Sequence, residues 1–271
     1  MRTRFAPSPT GPLHLGHAFS ALTAADLARR QDGTFLLRIE DIDRTRCRPE
    51  HEAAILADLA WLGLSWPEPV LRQSDHLPRY ARALDRLAAL GLTYPCRCTR
   101  ADIRAALSAP QENAPSPLYP GTCRHRPMSD AAPGDAIRLD LARALALAGP
   151  LEFTETGPLH PGTHPADPTP LGDVVLARRD IGTAYHLAVV VDDARQGITH
   201  VVRGADLWEA TPLHRLLQHL LGLPVPVWHH HRLIRDASGR RLAKRDDARA
   251  LATLRAEGVT PERIRRQLGF P

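Results

Sequence analysis

Lysine is almost absent from this 271-residue chain: of its 35 basic side chains one is Lys, at position 244, and the other 34 are Arg. Such a bias excludes reading each Arg as a separate choice, and it makes the exception informative. Long apolar runs are missing as well. Residues 1–19 hold no unbroken apolar core behind a basic start, and no stretch offers the ~20 apolar residues that a bilayer span requires. The expectation is a cytoplasmic protein with no membrane partner. Cysteine is scarce, with Cys47, Cys96, Cys98 and Cys123 the full set, three of them clustered. That pattern does not suit the paired framework of a secreted disulfide protein and favours reduced thiols or a metal. Repeats and long low-complexity tracts are absent too.

With 43% hydrophobic and 24% charged residues, the chain is long enough for one large α/β domain plus an insertion, or for two small domains. The excess of 35 basic over 30 acidic side chains is small, yet it suits a partner made of phosphates. The first ninety residues alternate strand-like and helix-like segments, at 2–6, 17–30, 34–40, 49–62 and 77–90. This predicts a parallel sheet with helices packed on it. The strand at 34–39 runs into Glu40 and Asp41, which places carboxylates at the carboxyl end of a strand, where open α/β sheets bind ligands. Over 96–170 the pattern changes to Pro, Gly and Cys around a helical 140–148, which reads as an inserted module. The α/β rhythm returns with a strand at 172–179, a helix ending at 195, a strand at 199–202 and a helix over 207–221. Two short helices, 247–257 and 261–268, close the chain. The resulting division is 1–95 and 171–225 for the two halves of an α/β domain, 96–170 for the insertion and 226–271 for a helical stem. His229, His230 and His231 read as a solvated turn, because nothing nearby in sequence supplies a fourth metal-type ligand.

Near the start stands Arg4-Phe5-Ala6-Pro7-Ser8-Pro9-Thr10-Gly11-Pro12-Leu13-His14-Leu15-Gly16-His17. The prolines hold the backbone extended after the strand, so the next helix begins at a defined angle. Free N–H groups and the dipole at a helix start attract anions, and His14 and His17 share one face there to meet phosphates. Gly16 has no side chain to keep a flat base from the backbone. These residues resemble the His-Ile-Gly-His signature of the class I aminoacyl-tRNA synthetases, and the preceding Arg-Phe-Ala-Pro-Ser-Pro-Thr-Gly is similar to the glutamyl branch of that family. A second signature of the family, Lys-Met-Ser-Lys-Ser or its Lys-Leu-Ser-Lys variant, resembles Arg241-Leu242-Ala243-Lys244-Arg245, with Arg241 and Ala243 departing from it. A single lysine falling at random would land in this loop about one time in fifty. Lys is the compact point charge suited to a migrating pyrophosphate, so Lys244 is taken as functional.

The resemblance implies a Rossmann-like class I catalytic domain with an insertion and no anticodon-binding domain. Substrates would be L-glutamate and ATP with Mg²⁺. His14, Gly16, His17 and Lys244 would serve ATP, with His14, His17 and Lys244 catalytic. Selecting glutamate requires pairing two carboxylates and one ammonium. Arg4 and Arg203 are the candidates for the carboxylates and Glu40 for the ammonium. By resemblance Phe5, Ala6, Pro7, Ser8 and Tyr185 join them, and the run Thr199-His200-Val201-Val202-Arg203-Gly204 is similar to the family's Thr-His-Val-Ile-Arg-Gly. Asp206 and Leu207 resemble its adenosine-side segment. Cys96, Cys98 and Cys123 could hold a structural zinc in the insertion, with Tyr119 or His125 as fourth ligand; a subgroup of the glutamyl family has Cys-x-Cys…Tyr-x-x-x-Cys, with the tyrosine in that role. The sequence stops at Pro271, soon after the second signature. That resembles the shortened branch of the family that places glutamate on the queuosine base in the anticodon of tRNA(Asp), and the expectation is a monomer of that kind. A truncated enzyme acting on a tRNA 3′ end and a non-catalytic tRNA- or amino-acid-binding paralogue are the alternatives.

Overall fold

The computed structural model describes residues 1–99, 101–103, 118–235 and 249–271. Lys244 and the second signature therefore lie outside the described residues. Strand β1 (Arg2–Phe5), helix α1 (Leu15–Arg30), β2 (Thr34–Ile39), α2 (Pro49–Trp61) and β3 (Leu71–Arg72) follow the expected alternation. Then come α3 (Leu77–Ala89), β4 (Thr93–Cys96), β5 (Ala136–Leu139), α4 (Leu141–Ala148), β6 (Glu152–Glu155), β7 (Gly162–Pro165) and β8 (Val175–Ala177). The remainder is α5 (Tyr185–Arg195), β9 (His200–Gly204), α6 (Thr211–Leu221), β10 (Val227–His231), α7 (Leu251–Ala256) and α8 (Pro261–Leu268). No helix among the described residues is long and apolar enough to cross a membrane.

β1 pairs in parallel with β2, and β2 with β3. On the other side β9, β10 and β6 are also parallel. β9 runs beside β1 in the same sense: the Thr199 N–H reaches the Arg2 carbonyl at 3.0 Å, and Arg4 Nη1 reaches the Val202 carbonyl at 3.1 Å. The two sheets thus abut at β1 and β9, and chain order runs outward from this seam toward β3 on one side and toward β10 on the other. Such a switch point opens a crevice at the carboxyl ends of the strands. Ala18, Ala21 and Ala24 of α1 are fully buried, and their small side chains let the helix lie close against the sheet. Leu13, Leu22, Ile39, Ile55, Leu59, Leu251 and Ile264 complete this core.

The sheets do not divide along the boundaries drawn from composition. The hairpin β6–β7 lies within the expected insertion, yet it pairs with β10 and widens the main sheet. β8, expected in the second half of the α/β domain, pairs antiparallel with β5, which pairs with β4. The helix expected over 207–221 is a short 3₁₀ turn, Ala205–Ala210, followed by α6. Pro212 explains the break, because proline fits only the first turn of an α-helix. The solvated turn expected at His229–His231 is corrected outright: these residues form β10, with His230 1% and His231 5% exposed.

Candidate functional site

The switch point gathers the glutamate-type residues. Arg4 and Phe5 end β1, Ala6 and Ser8 follow it, Glu40 follows β2, Arg203 lies near the end of β9 and Tyr185 opens α5. All of them line one cavity of about 350 Å³, together with Leu207. A neighbouring cavity of about 420 Å³ shares Ser8, Glu40 and Tyr185 and adds Thr10, Asp43, Arg178 and His186. Pro7 and Asp206 do not line the first cavity, although the Pro7 carbonyl accepts the Glu40 N–H at 3.0 Å and so sets where that carboxylate begins.

The two candidate arginines are held in different ways. Arg4 makes a two-point ion pair with Asp193, at 3.0 and 3.3 Å. Asp193 also accepts from Arg38 at 2.7 Å, and Arg38 in turn donates to Glu40 at 3.0 Å. Burial would raise the Asp193 pKa, but Arg4 and Arg38 outweigh it and hold the carboxyl below its ordinary value. For Glu40 burial wins over the same two arginines, and its pKa is raised. An ammonium docking there would supply the counter-charge that burial makes scarce. Sequence reasoning missed Arg38 and Asp193. The available signals were a charged residue in the apolar strand Thr-Phe-Leu-Leu-Arg-Ile and an Asp-Asp pair within the apolar run of α5.

Arg203 is 4% exposed, and its hydrogen-bonding partners are neutral. Nε donates to His230 Nε2 at 3.0 Å, Nη1 to His214 Nδ1 at 3.0 Å and Nη2 to Thr211 Oγ1 at 2.7 Å. Burial, and then the Arg203 charge, push His214 well below the ordinary imidazole value. His230 is lowered chiefly by burial, against its bond to Glu155. Among the described residues no carboxylate bonds to Arg203, so a carboxylate entering the cavity would meet a guanidinium still seeking its counter-ion.

At the start of α1, His14 caps the helix. Its Nδ1 accepts the Gly16 N–H at 3.1 Å, His17 Nδ1 accepts the His14 N–H at 3.2 Å, and the two rings lie 3.8 Å apart. A Cβ on Gly16 would come within 2.9 Å of His14 Cε1. The glycine thus makes room for the capping ring, a reason the sequence did not disclose. The chain returns here from the far side of the second signature: Ala250 bridges to His14, and the Leu251 N–H reaches the Leu13 carbonyl at 2.8 Å.

Away from this crevice, Cys96, Cys98 and Cys123 bring their sulfurs within 4.8 Å of one another. The Tyr119 hydroxyl stands 3.4 Å from Cys96 Sγ and 3.6 Å from Cys98 Sγ, with Cys98 and Cys123 3.5 Å apart. Tetrahedral zinc with thiolates at ~2.3 Å needs sulfurs about 3.8 Å apart, so the donor set fits that ion. His125 is exposed and outside the cluster.

A family model described as tRNA synthetases class I (E and Q), catalytic domain, matches residues 1–270. The chain is 59% identical to a glutamyl-Q tRNA(Asp) synthetase of Rhodobacter capsulatus, with 100% of both proteins covered. It is 40% identical to a glutamate–tRNA ligase of Oleidesulfovibrio alaskensis, over 97% of this chain and 55% of that one. Among solved structures, a glutamate tRNA ligase from Elizabethkingia meningosepticum in complex with its amino acid matches with a TM-score of 0.72 at 28% identity, covering 91% of this chain and 52% of that one. The chain thus spans about half the length of that structure.

Proposed function

Because the chain belongs to the class I tRNA synthetases of the E and Q branch, we propose that it activates L-glutamate with ATP and transfers it to the queuosine base in the anticodon of tRNA(Asp). The observation that carries the amino-acid assignment is the cavity at the switch point, with the buried Arg203 at one wall and the buried Glu40 at another. Arg203 takes the carboxylate that stays behind, because it is held deep by bonds to α6 and β10. Glu40 takes the ammonium. The reacting carboxylate then attacks the α-phosphate in line, forming a mixed anhydride while pyrophosphate leaves with the bond pair. His14 and His17 at the start of α1 meet the phosphates, and Lys244, six residues before the Ala250 that bridges to His14, supplies a point charge for the departing pyrophosphate. In the second half-reaction a hydroxyl of the acceptor attacks the acyl carbon and AMP leaves. The acceptor assignment is supported by the end-to-end match to the glutamyl-Q relative. Cys96, Cys98, Tyr119 and Cys123 would hold a structural zinc that ties the insertion together, far in role from the chemistry.

Transfer of labelled glutamate to tRNA(Asp) prepared with and without queuosine tests this reading. Label that requires the modified base and survives removal of the 3′ end is the expected result. Label on the 3′ end of tRNA(Glu) alone would make the chain a conventional synthetase. Glutamate-dependent exchange of pyrophosphate into ATP, abolished in Arg203→Met, separates both from a non-catalytic binding protein.

A further inference from the structure

Arg203 stands out among the buried cations for the kind of company it keeps. Arg4 and Arg38 share the carboxylate of Asp193, whereas Arg203 has two imidazoles and a hydroxyl. A guanidinium can only donate, so each imidazole nitrogen facing it must carry a lone pair. That fixes where each ring keeps its proton. His230 carries it on Nδ1 and donates to Glu155 at 2.5 Å; His214 carries it on Nε2 and donates to His186 Nδ1 at 3.0 Å.

Glu155 is itself tightly specified. It is 2% exposed at the end of β6 and also accepts the backbone N–H groups of His230 at 2.9 Å and of Gly157 at 2.5 Å. Burial would raise its pKa, but these donors, led by the His230 side chain, outweigh that and lower it. A Cβ on Gly157 would run into the His230 backbone and the Glu155 carboxylate, so the glycine lets the hairpin close over β10. Glu155, His214 and His230 do not line the 350 Å³ cavity; only Arg203 projects from this cluster into it.

We propose that His230 and His214 are positioning residues for Arg203, with Glu155 fixing the His230 tautomer, so that the guanidinium faces the cavity aimed and with no carboxylate bonded to it among the described residues. The inference rests on the reading of the cavity as a glutamate site and deepens it. Preference for a carboxylate over the isosteric carboxamide of glutamine is set by a neutral shell that never touches the substrate. A carboxylate built into that shell would satisfy Arg203 from behind and remove the preference. With a neutral shell, no carboxylate among the described residues competes with the incoming side chain for hydrogen bonds to Arg203.

Glu155→Gln tests the arrangement through a residue remote from substrate. The amide oxygen serves the two backbone N–H groups, leaving its NH₂ against His230 Nδ1. That nitrogen must become an acceptor, and the ring proton moves to Nε2, head-on to Arg203 Nε–H. The expected result is a rise of about tenfold or more in the glutamate KM for pyrophosphate exchange, the loss typical of one hydrogen bond to a charged group. The ATP KM and kcat should stay within about threefold, and the ring ¹⁵N spectrum should show the His230 proton moved from Nδ1 to Nε2. An unchanged glutamate KM despite the moved proton would overturn the proposal. If Glu155→Gln does not fold, two substitutions at the ring decide instead. His230→Gln keeps an acceptor for Arg203 and should leave the glutamate KM within about threefold, whereas His230→Asn keeps the donor to Glu155 but loses the acceptor and should raise it about tenfold. Equal effects of the two would refute the positioning role. The ring tautomers in the ligand-free wild-type protein, Nδ1–H for His230 and Nε2–H for His214, are measured without any substrate; the opposite tautomers would overturn the proposal by themselves. Absence of glutamate-dependent exchange in the wild type would instead defeat the glutamate reading.

Discussion

Replacing Asp193 by Asn removes one negative charge from a cluster that buries two guanidiniums. The amide has nearly the same shape, so packing is preserved and only electrostatics change. The Arg4 and Arg38 side chains are 5% and 0% exposed and Asp193 is 6% exposed, with contacts of 3.0 and 2.7 Å. After the change the amide oxygen can still accept from Arg4 Nε and Arg38 Nη1, but Arg4 Nη2 faces an amide NH₂; Arg38 keeps the carboxylate of Glu40, whereas Arg4 is left with the neutral amide and the Val202 carbonyl at 3.1 Å. Breaking such a buried pair from one side costs roughly 3–5 kcal/mol, because a charge is left without its partner. At roughly 2–4 °C per kcal/mol for a chain of this size, the melting temperature should fall by about 6–20 °C. Scanning calorimetry at neutral pH reads it directly. The control is Asp180→Asn, whose side chain is 47% exposed and pairs with an Arg178 42% exposed; a surface pair of this kind is worth roughly 0–1 kcal/mol. A drop for Asp193→Asn no larger than that of the control would refute the view that this carboxylate organises the cavity floor.

Loss of zinc should act on the insertion: Cys123→Ser is expected to take the metal content from about one ion per chain to a small fraction, read by elemental analysis, and to lower the first thermal transition. Full metal occupancy in that variant would remove Cys123 from the ligand set. Gly16→Ala should leave the melting temperature within about 3 °C, since alanine favours the helix by up to ~1 kcal/mol. Pyrophosphate exchange should nonetheless fall, because the new Cβ displaces the His14 ring; undiminished exchange would mean that the ring position is immaterial. Burial and then the Arg203 charge push His186 down to about 4, so the unfolded chain takes up its proton first. Its stabilising contribution is complete above about pH 6.5 and is lost as pH falls toward about 4. Chemical denaturation at pH 7 and pH 5 should therefore show a smaller acid loss in His186→Gln than in wild type, and equal losses would refute the buried neutral ring.

Most residues of the cavity were legible because they sit in short runs at the ends of β1, β2 and β9, where local sequence and chemistry coincide. Asp193 was not, since its partners Arg4 and Arg38 lie 189 and 155 residues away in sequence. The β6–β7 hairpin was hidden by its Gly and Pro content, which reads as a loop until β10 offers an edge to pair with. His229–His231 failed for a related reason. Histidine carries no apolar alternation, so a buried strand of Val-Trp-His-His-His reads as polar; Trp228, 1% exposed, was the remaining clue. The burial of His230 is explained by Glu155 on one ring nitrogen and Arg203 on the other, and both pairings are tertiary.

The bridge between His14 and Ala250 has a consequence for how the protein comes into being. The core around α1 includes Leu251, Ile264 and Leu268, so this helix completes its packing against residues synthesised long after it. At roughly 5–20 residues per second, some 10–50 s separate the emergence of Leu13 from that of its partner Leu251. During that interval the apolar face of α1 has no native cover from the C-terminal helices. A nascent chain of this protein therefore carries the start of α1 on an unfinished surface until Leu251 has emerged.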